Sequence, residues 1–356
     1  MKKDFYLMAA ACAMLFAGCS SESDPVPNSS GEKTAKMELN LTGSATRATG
    51  TELPGDTGAE NKINTVAVGV FNSDGSTNTI AEFTSGQVTA KTGIVNCSPA
   101  TSCSVIVVAN APSGTFAGVT TRTAFVAKTV QLSQTNNSGA QENTNLPMSA
   151  EQTSVDLTAG ATNTVTMQLS RLVSRISIAD IKADFDPNGQ YKDATFTATG
   201  IFLYNAKSTS TVDPGSPTTT SLITGEDAGN EYLLNTLDQS ITSTSYTTPY
   251  WFYTFVNDAT NPTKLVIKGT FDADGAGASS EETVYYPVVV NKNQTGTTND
   301  GSGDATITRN LAYKIGVTIK GKGVASPATD IEPAALTVNV QVADWTLIVT
   351  QDVIFD

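Results

Sequence analysis

Apolar and polar residues alternate in short runs along most of this chain, and clusters of Gly, Asn, Asp, Ser and Pro separate the runs. No long stretch keeps the 3.6-residue apolar period of an amphipathic helix, and only a turn or two of helix is expected near residues 118–128. Short alternating runs between turn signals are typical of strands with one buried face, so the pattern predicts an all-β sandwich protein. The predicted strands lie near residues 37–41, 65–71, 105–109, 126–132, 164–169, 173–178, 195–203, 251–256, 264–271, 284–290, 312–320 and 336–355.

The first predicted strand is followed at once by a loop of small and polar residues, 42–50, in which Arg47 is the lone basic residue. Exposed loops of this kind are where proteases cut most readily. The sequence therefore favours Arg47 as a cleavage point that separates the strand at residues 37–41 from the rest of the chain.

The C-terminal tail, residues 336–356, alternates almost throughout, with one slip at Ala343 and Asp344. Twenty extended residues would span about 66 Å at ~3.3 Å per residue, whereas strands usually hold about 3 to 10 residues. One part of the tail is thus expected to pair within its own domain and the part after Ala343 to pair elsewhere, as in strand addition to another subunit. The alternative is two ordinary strands of the last sandwich with a bulge between them. The side chains expected to fill a neighbour's pockets are Trp345, Leu347, Val349, Val353 and Phe355.

The N-terminus has the features of an export signal. Lys2 and Lys3 precede an apolar run, residues 6–16, that is much shorter than the ~20 residues that span a bilayer. The run ends in small residues and Cys19, and residues 15–19 resemble a bacterial lipobox, which implies a lipid on Cys19. An ordinary secretory signal is the alternative. Residues 20–31 form a polar tether that is too hydrophilic to pack.

Composition narrows the function classes. The chain has 356 residues, a net charge of −13 and no histidine, which excludes catalytic systems built on histidine and histidine zinc sites. The acidic balance argues against nucleic acid as a partner. Loops rich in Asp and Gly are interpreted as turns, so neither a metal site nor a cofactor is expected, and the protein is expected not to be an enzyme.

Two cysteines remain beyond the leader, Cys97 and Cys103, with five residues between them. Export makes a disulfide chemically possible, and a bridge would close the turn at residues 98–102. Two free thiols are the equally weighted alternative.

The length suggests about two domains, and a new strand-rich block begins near residues 167–176. We place the N-terminal sandwich at residues 48–170 and the C-terminal sandwich at residues 171–356, with the donor tail at its end.

Several motifs follow one another from end to end of the chain: the lipobox at Cys19, the Arg47 loop, and residues 146–149, 171–175, 284–290, 308–310, 318–323 and 340–345. In this order they resemble the FimA-like major fimbrillins, the shaft subunits of type V pili. The resemblance implies two transthyretin-like β-sandwich domains with Greek-key topology and delivery to the outer membrane as a palmitate-bearing lipoprotein. It also implies cleavage between Arg47 and Ala48 by an Arg-specific, trypsin-like protease, which would remove the leader (1–19) and the propeptide (20–47).

The expected function is therefore that of a structural fimbrial subunit that supports adhesion and biofilm formation. The precursor would reside in the outer membrane and the product in an extracellular fimbria. Its expected partners are copies of itself, related fimbrial subunits, the protease, the membrane through its lipid, and surface ligands of host or bacterial origin. The alternatives are an accessory tip or anchor subunit, and a glycan-binding lipoprotein that stays anchored through Cys19.

Overall fold

The computed structural model describes residues 34–42, 58–137, 140–247, 250–277, 279–293, 297–331 and 335–344. The strands of the first half are β1 (Ala35–Thr42), β2 (Val66–Phe71), β3 (Thr77–Glu82), β4 (Thr92–Cys97), β5 (Ala100–Ala109), β6 (Thr129–Gln131), β7 (Asn136–Asn137), β8 (Ala140–Gln141), β9 (Met148–Leu157), β10 (Thr162–Gln168) and β11 (Ser170–Arg171). Those of the second half are β12 (Val173–Ala183), β13 (Thr195–Tyr204), β14 (Ala206–Thr211), β15 (Thr219–Ile223), β16 (Leu234–Ile241), β17 (Trp251–Phe255), β18 (Lys264–Asp272), β19 (Glu281–Val289), β20 (Thr297–Asn299), β21 (Leu311–Ile319) and β22 (Leu336–Asp344). The helices are α1 (Ser85–Ala90) and α2 (Arg122–Val126), and 3₁₀ turns occupy Gly58–Asn61, Leu132–Thr135 and Glu231–Leu233.

Sheet membership changes between β11 and β12. The first half contains a three-stranded sheet, β10-β1-β4, and a five-stranded sheet, β11-β9-β5-β2-β3. The second half contains a five-stranded sheet, β17-β12-β21-β22-β20, and a four-stranded sheet, β16-β13-β18-β19. A small sheet, β15-β14-β6, joins the halves because β6 pairs with β14. The inward-facing side chains of the main sheets belong to one hydrophobic cluster.

The all-β prediction is confirmed, and the Greek-key order stays a prediction. Most predicted strands coincide with observed ones, but the strand expected over residues 126–132 was wrong. There, the side chain of Thr121 caps α2 by accepting a hydrogen bond from Ala124 N at 3.2 Å, and the ring of Phe125 packs against Phe71 and Phe116. Only residues 129–131 of that run are extended. Within the described residues, no helix has the length and apolar character needed to cross a bilayer.

The described part of the tail forms a single strand. β22 (Leu336–Asp344) pairs antiparallel with β21 and parallel with β20, and residues 345–356 lie outside the described residues. Its side chains at Leu336, Val338 and Val340 are buried. The described part of the tail therefore belongs to the sheet of its own subunit.

Candidate functional site

β1 is the central strand of its sheet and is hydrogen-bonded along both edges. It runs parallel to β10, from Lys36 opposite Thr162 to Thr42 opposite Gln168. It runs antiparallel to β4, from Ala35 opposite Cys97 to Asn40 opposite Thr92. Without β1, the facing backbone groups of β10 and β4 would lose their partners along an eight-residue gap.

β1 also supplies a row of core side chains. Ala35, Met37 and Leu39 are fully buried, and Leu41 is 3% exposed. Burying the three larger side chains contributes roughly 5–9 kcal/mol, at about 1.5–3 kcal/mol each. That sum is comparable to the whole net stability of a typical domain, about 5–15 kcal/mol. An empty β1 position is therefore strongly unfavourable until another strand fills it.

The space that β1 occupies, here called the β1 groove, has walls formed by the inward-facing residues of its two neighbours. They are Gly93, Val95 and Cys97 on β4, and Asn163, Val165 and Met167 on β10. Gly93 lies opposite Leu39, and a Cβ atom on Gly93 would lie 2.7 Å from Cζ of the Phe83 ring. The absence of a side chain at this position leaves room for the Phe83 ring and for Gln87, whose Nε2 atom would lie 2.8 Å from that Cβ atom.

Replacing Gly93 with valine is expected to lower the free energy of unfolding by about 1–3 kcal/mol, because the added atoms would overlap the Phe83 ring and the Gln87 side chain. The matched control is Gly86→Val on α1, where an added Cβ meets no atom within 4 Å. That control should change stability by less than about 0.5 kcal/mol, since valine has at least the helix propensity of glycine. Urea unfolding of both variants gives the comparison, and equal losses would contradict this packing assignment.

Cys97 lines one end of the β1 groove, opposite Ala35, and Cys103 lies on β5. Both are free, buried thiols in the structure, so the structure has no disulfide between Cys97 and Cys103. Burial, with a smaller contribution from Cys103, raises the pKa of the Cys97 thiol to about 11. Thiolate is the reactive form, so Cys97 reacts slowly while β1 covers it.

A buried ionic cluster connects the first 3₁₀ turn to the second half of the chain. The carboxylate of Glu60 accepts hydrogen bonds from Arg175 Nη1 at 2.9 and 3.1 Å and from the Tyr253 hydroxyl at 2.5 Å. Arg171 donates to Asn61 Oδ1 at 2.6 Å and to the backbone oxygen of Glu60 at 3.4 Å. Burial raises the pKa of Glu60, while the nearby Arg175, the Tyr253 hydroxyl and Arg171 act in the opposite direction. The cluster attaches the first 3₁₀ turn, Gly58–Asn61, to β11, β12 and β17.

Replacing Glu60 with alanine is expected to cost roughly 3–5 kcal/mol of folding free energy, because it leaves the buried guanidinium of Arg175 without its carboxylate. The control is Glu226→Ala, which removes a partly exposed ion pair with Lys268 and should cost less than about 1 kcal/mol. Thermal and denaturant unfolding measure both losses. A cost for Glu60→Ala as small as the control's would show that the cluster does not secure this turn.

Four of the five arginines lie within the described fold. Arg171 and Arg175 are at most 1% exposed, and Arg122 forms two hydrogen bonds to Glu151 at 2.7 and 2.8 Å. Arg309 is partly buried. An Arg-specific protease acting on the folded chain thus has little access to Arg171 and Arg175, while the carboxylate of Glu151 holds the partly exposed guanidinium of Arg122.

Most predicted site residues fall outside the described residues. They are Cys19, Arg47, Ala48, Trp345, Leu347, Val349, Val353 and Phe355. The strand at residues 37–41 is present as β1, with its predicted alternation. Sequence reasoning missed Glu60 and Asn163. Glu60 stands in a short polar run without periodicity, so no local signal marks it. Asn163 is two residues before Val165 and four before Met167, and this alternation was the available signal that all three share one face of β10.

Comparisons with known proteins agree along the chain. A family model described as the major fimbrial subunit protein (FimA) matches residues 35–190, and one described as the FimA4 pilin C-terminal domain matches residues 254–345. The chain is 27% identical to a major fimbrium subunit FimA type-2 of Porphyromonas gingivalis, over 98% of both chains. It is 26% identical to a type-3 subunit from that organism, over 97% of this chain and 98% of the other.

Solved structures show the same fold. A protein from Bacteroides eggerthii named for cell adhesion is 25% identical, with a TM-score of 0.65 over 91% of this chain and 98% of the other. A fimbrilin from P. gingivalis W83 has a TM-score of 0.65 at 21% identity, over 90% of this chain and 99% of that one.

Proposed function

Since the chain belongs to the FimA-like family of fimbrial subunits, we propose that it forms the shaft of a surface fibre by exchanging strands between copies. The observation that carries the proposal is the position of β1. It is a buried central strand, and it precedes Arg47 in the chain, whereas every other described strand follows Arg47. A single cut after Arg47 therefore separates β1 from every other described strand and helix.

In this proposal, the precursor is exported as a lipoprotein held in the outer membrane through Cys19. The segment from Cys19 to Arg47 carries both the lipid and β1, so one cleavage frees the subunit from the membrane and vacates the β1 groove. The burial of Arg171 and Arg175 and the pairing of Arg122 favour Arg47 as the bond that an Arg-specific protease selects. The buried Glu60 cluster keeps the fold anchored from residue 58 onward after the cut.

The donor is the tail of another copy. Residues 336–344 are already paired in β22, so the donor is the part that follows Asp344. Once β1 has left, it no longer competes for the groove, and the exchanged strand is held by a full set of backbone hydrogen bonds and core contacts. The resulting fibre supports adhesion to host or bacterial surfaces and biofilm formation.

The N-terminus of the surface-extracted protein tests this proposal against its alternatives. A shaft subunit should begin at Ala48. An anchor subunit or a glycan-binding lipoprotein would instead retain lipidated Cys19 in every copy, and mass spectrometry of the intact protein separates the two results. A tip subunit would be processed but would lack a working donor tail.

A further inference from the structure

We propose that residues 349–356 are the inserted part of the donor and that they replace β1 residue for residue, in the same direction. Val349 takes the position of Ala35, Gln351 that of Met37, Val353 that of Leu39 and Phe355 that of Leu41. The inference rests on the proposed strand exchange and adds its register and direction.

The spacing between β22 and residues 349–356 is consistent with this register. Residues 349–356 equal the eight residues of β1 in number. Filling the whole groove with them leaves residues 345–348 to cross between subunits, a reach of about 13 Å at ~3.3 Å per residue. Trp345 and Leu347 then lie in the crossing segment rather than in the groove.

The polar positions of donor and groove coincide in this register. Among the inward-facing residues of β4 and β10, which are both fully described, Asn163 alone carries an amide, and it stands opposite Met37. The alternating residues of the donor contain one polar side chain, Gln351. The register places Gln351 at the position of Met37, where it faces Asn163.

Asn163 retains hydrogen-bonding capacity for such a partner. Its Nδ2 atom donates to the Lys36 backbone oxygen at 3.1 Å, and its Oδ1 atom accepts from Thr158 N at 3.2 Å. A primary amide has a second N–H and a second lone pair, which a Gln side chain can engage. In the same register, the backbone oxygen of Thr350 takes the place of that of Lys36.

Other registers bury the amide of Gln351 or shorten the crossing. A shift of two residues, with Leu347 at the position of Ala35, puts Gln351 between Gly93 and Val165. That position offers no amide partner, and an unsatisfied polar group there costs about 1–3 kcal/mol. A reversed strand that keeps Val349, Val353 and Phe355 inward fills the groove with residues 348–355 and places Gln351 at the same apolar position. The reversed register that does bring Gln351 to Asn163 starts at Thr346, which leaves only Trp345 to cross between subunits.

The native thiol of Cys97 gives a direct test. Residues directly opposite in an antiparallel pair have Cβ atoms about 4.5–5.5 Å apart, within reach of a short thiol-bridging reagent such as dibromobimane. Single cysteines replace Leu347, Val349, Val353 or Phe355, and the purified precursor is cleaved with trypsin in the presence of the reagent. The reagent is added during cleavage so that it reacts with Cys97 before the donor strand buries that thiol. Cys97→Ala is the background control.

The proposal expects intersubunit cross-linking at least tenfold stronger for Val349→Cys than for the other three, and none with Cys97→Ala. A maximum at Leu347→Cys would indicate a shifted register, and one at Val353→Cys or Phe355→Cys a reversed strand. Each of these results, or normal fibres without any cross-link, would overturn this register while leaving strand exchange in place. Wild-type subunits that are cleaved but never polymerise would contradict the proposed function, and the register with it.

A second measurement covers the case in which the Val349→Cys subunit fails to assemble. A synthetic peptide of residues 345–356 with Gln351→Leu should bind the processed, tail-deleted subunit about tenfold more weakly than the native peptide. The Asn163→Leu subunit should remove that difference, because the two amides are partners. A Gln351→Leu effect that is the same in both subunits would contradict the pairing.

Discussion

The Arg47→Ala variant is expected to accumulate as a folded, membrane-bound precursor that forms no fibre. Without the cut, β1 remains covalently attached beside its own groove, and this high effective concentration favours it over any strand from another subunit. Met37, Leu39 and Leu41 then stay buried in their own subunit. Gels run without heating should show the ladder of polymers for the wild type and only the monomer for Arg47→Ala.

The Arg47→Lys variant is the matched control, because it keeps the positive charge and removes only the arginine. An Arg-specific protease should fail on it, whereas trypsin, which also cuts after lysine, should restore polymerisation in vitro. Trypsin should not restore polymerisation of Arg47→Ala. A ladder from Arg47→Ala as strong as that of the wild type would contradict the requirement for cleavage at this bond.

Ending the chain at Asp344 is expected to produce a processed, soluble monomer. β22 keeps its pairing with β21 and β20, so the second half should fold normally. The truncated subunit would keep a vacant β1 groove and lack a donor. Size-exclusion chromatography and mass spectrometry should find a monomer that begins at Ala48.

Mixing provides the control for this truncation. A subunit with a groove but no donor can join one end of a growing fibre and then block it. Small amounts of the truncated subunit should therefore shorten wild-type fibres in electron micrographs. Fibres formed by the truncated subunit alone would show that another segment is the donor.

The local features of the fold were predictable from the sequence. Met37, Leu39 and Leu41 alternate with polar residues, and this pattern predicted both β1 and its buried face, because alternation indicates which side chains face a core. The slip at Ala343 and Asp344 is the basis for the prediction that the tail changes role there. The part after it lies outside the described residues, so the extent of the donor stays a prediction.

The partners of β1 were not predictable in the same way. β10 lies more than 120 residues further along the chain, and such pairing depends on the whole topology. β4 escaped detection because Gly93 replaces an apolar side chain in its alternation and Ile94 is exposed. The ion pair between Glu60 and Arg175 joins residues 115 positions apart, and no local pattern marks it.

Strand exchange requires that the isolated tail bind to an isolated, vacant β1 groove. The acceptor is the processed subunit that ends at Asp344, and the ligand is a synthetic peptide of residues 345–356. Calorimetry should find one peptide per subunit, with an affinity at least 100-fold higher than for the uncleaved Arg47→Ala subunit that also ends at Asp344. Equal binding to both subunits, or no binding to the processed one, would contradict the claim that cleavage opens a groove for the tail of a neighbour.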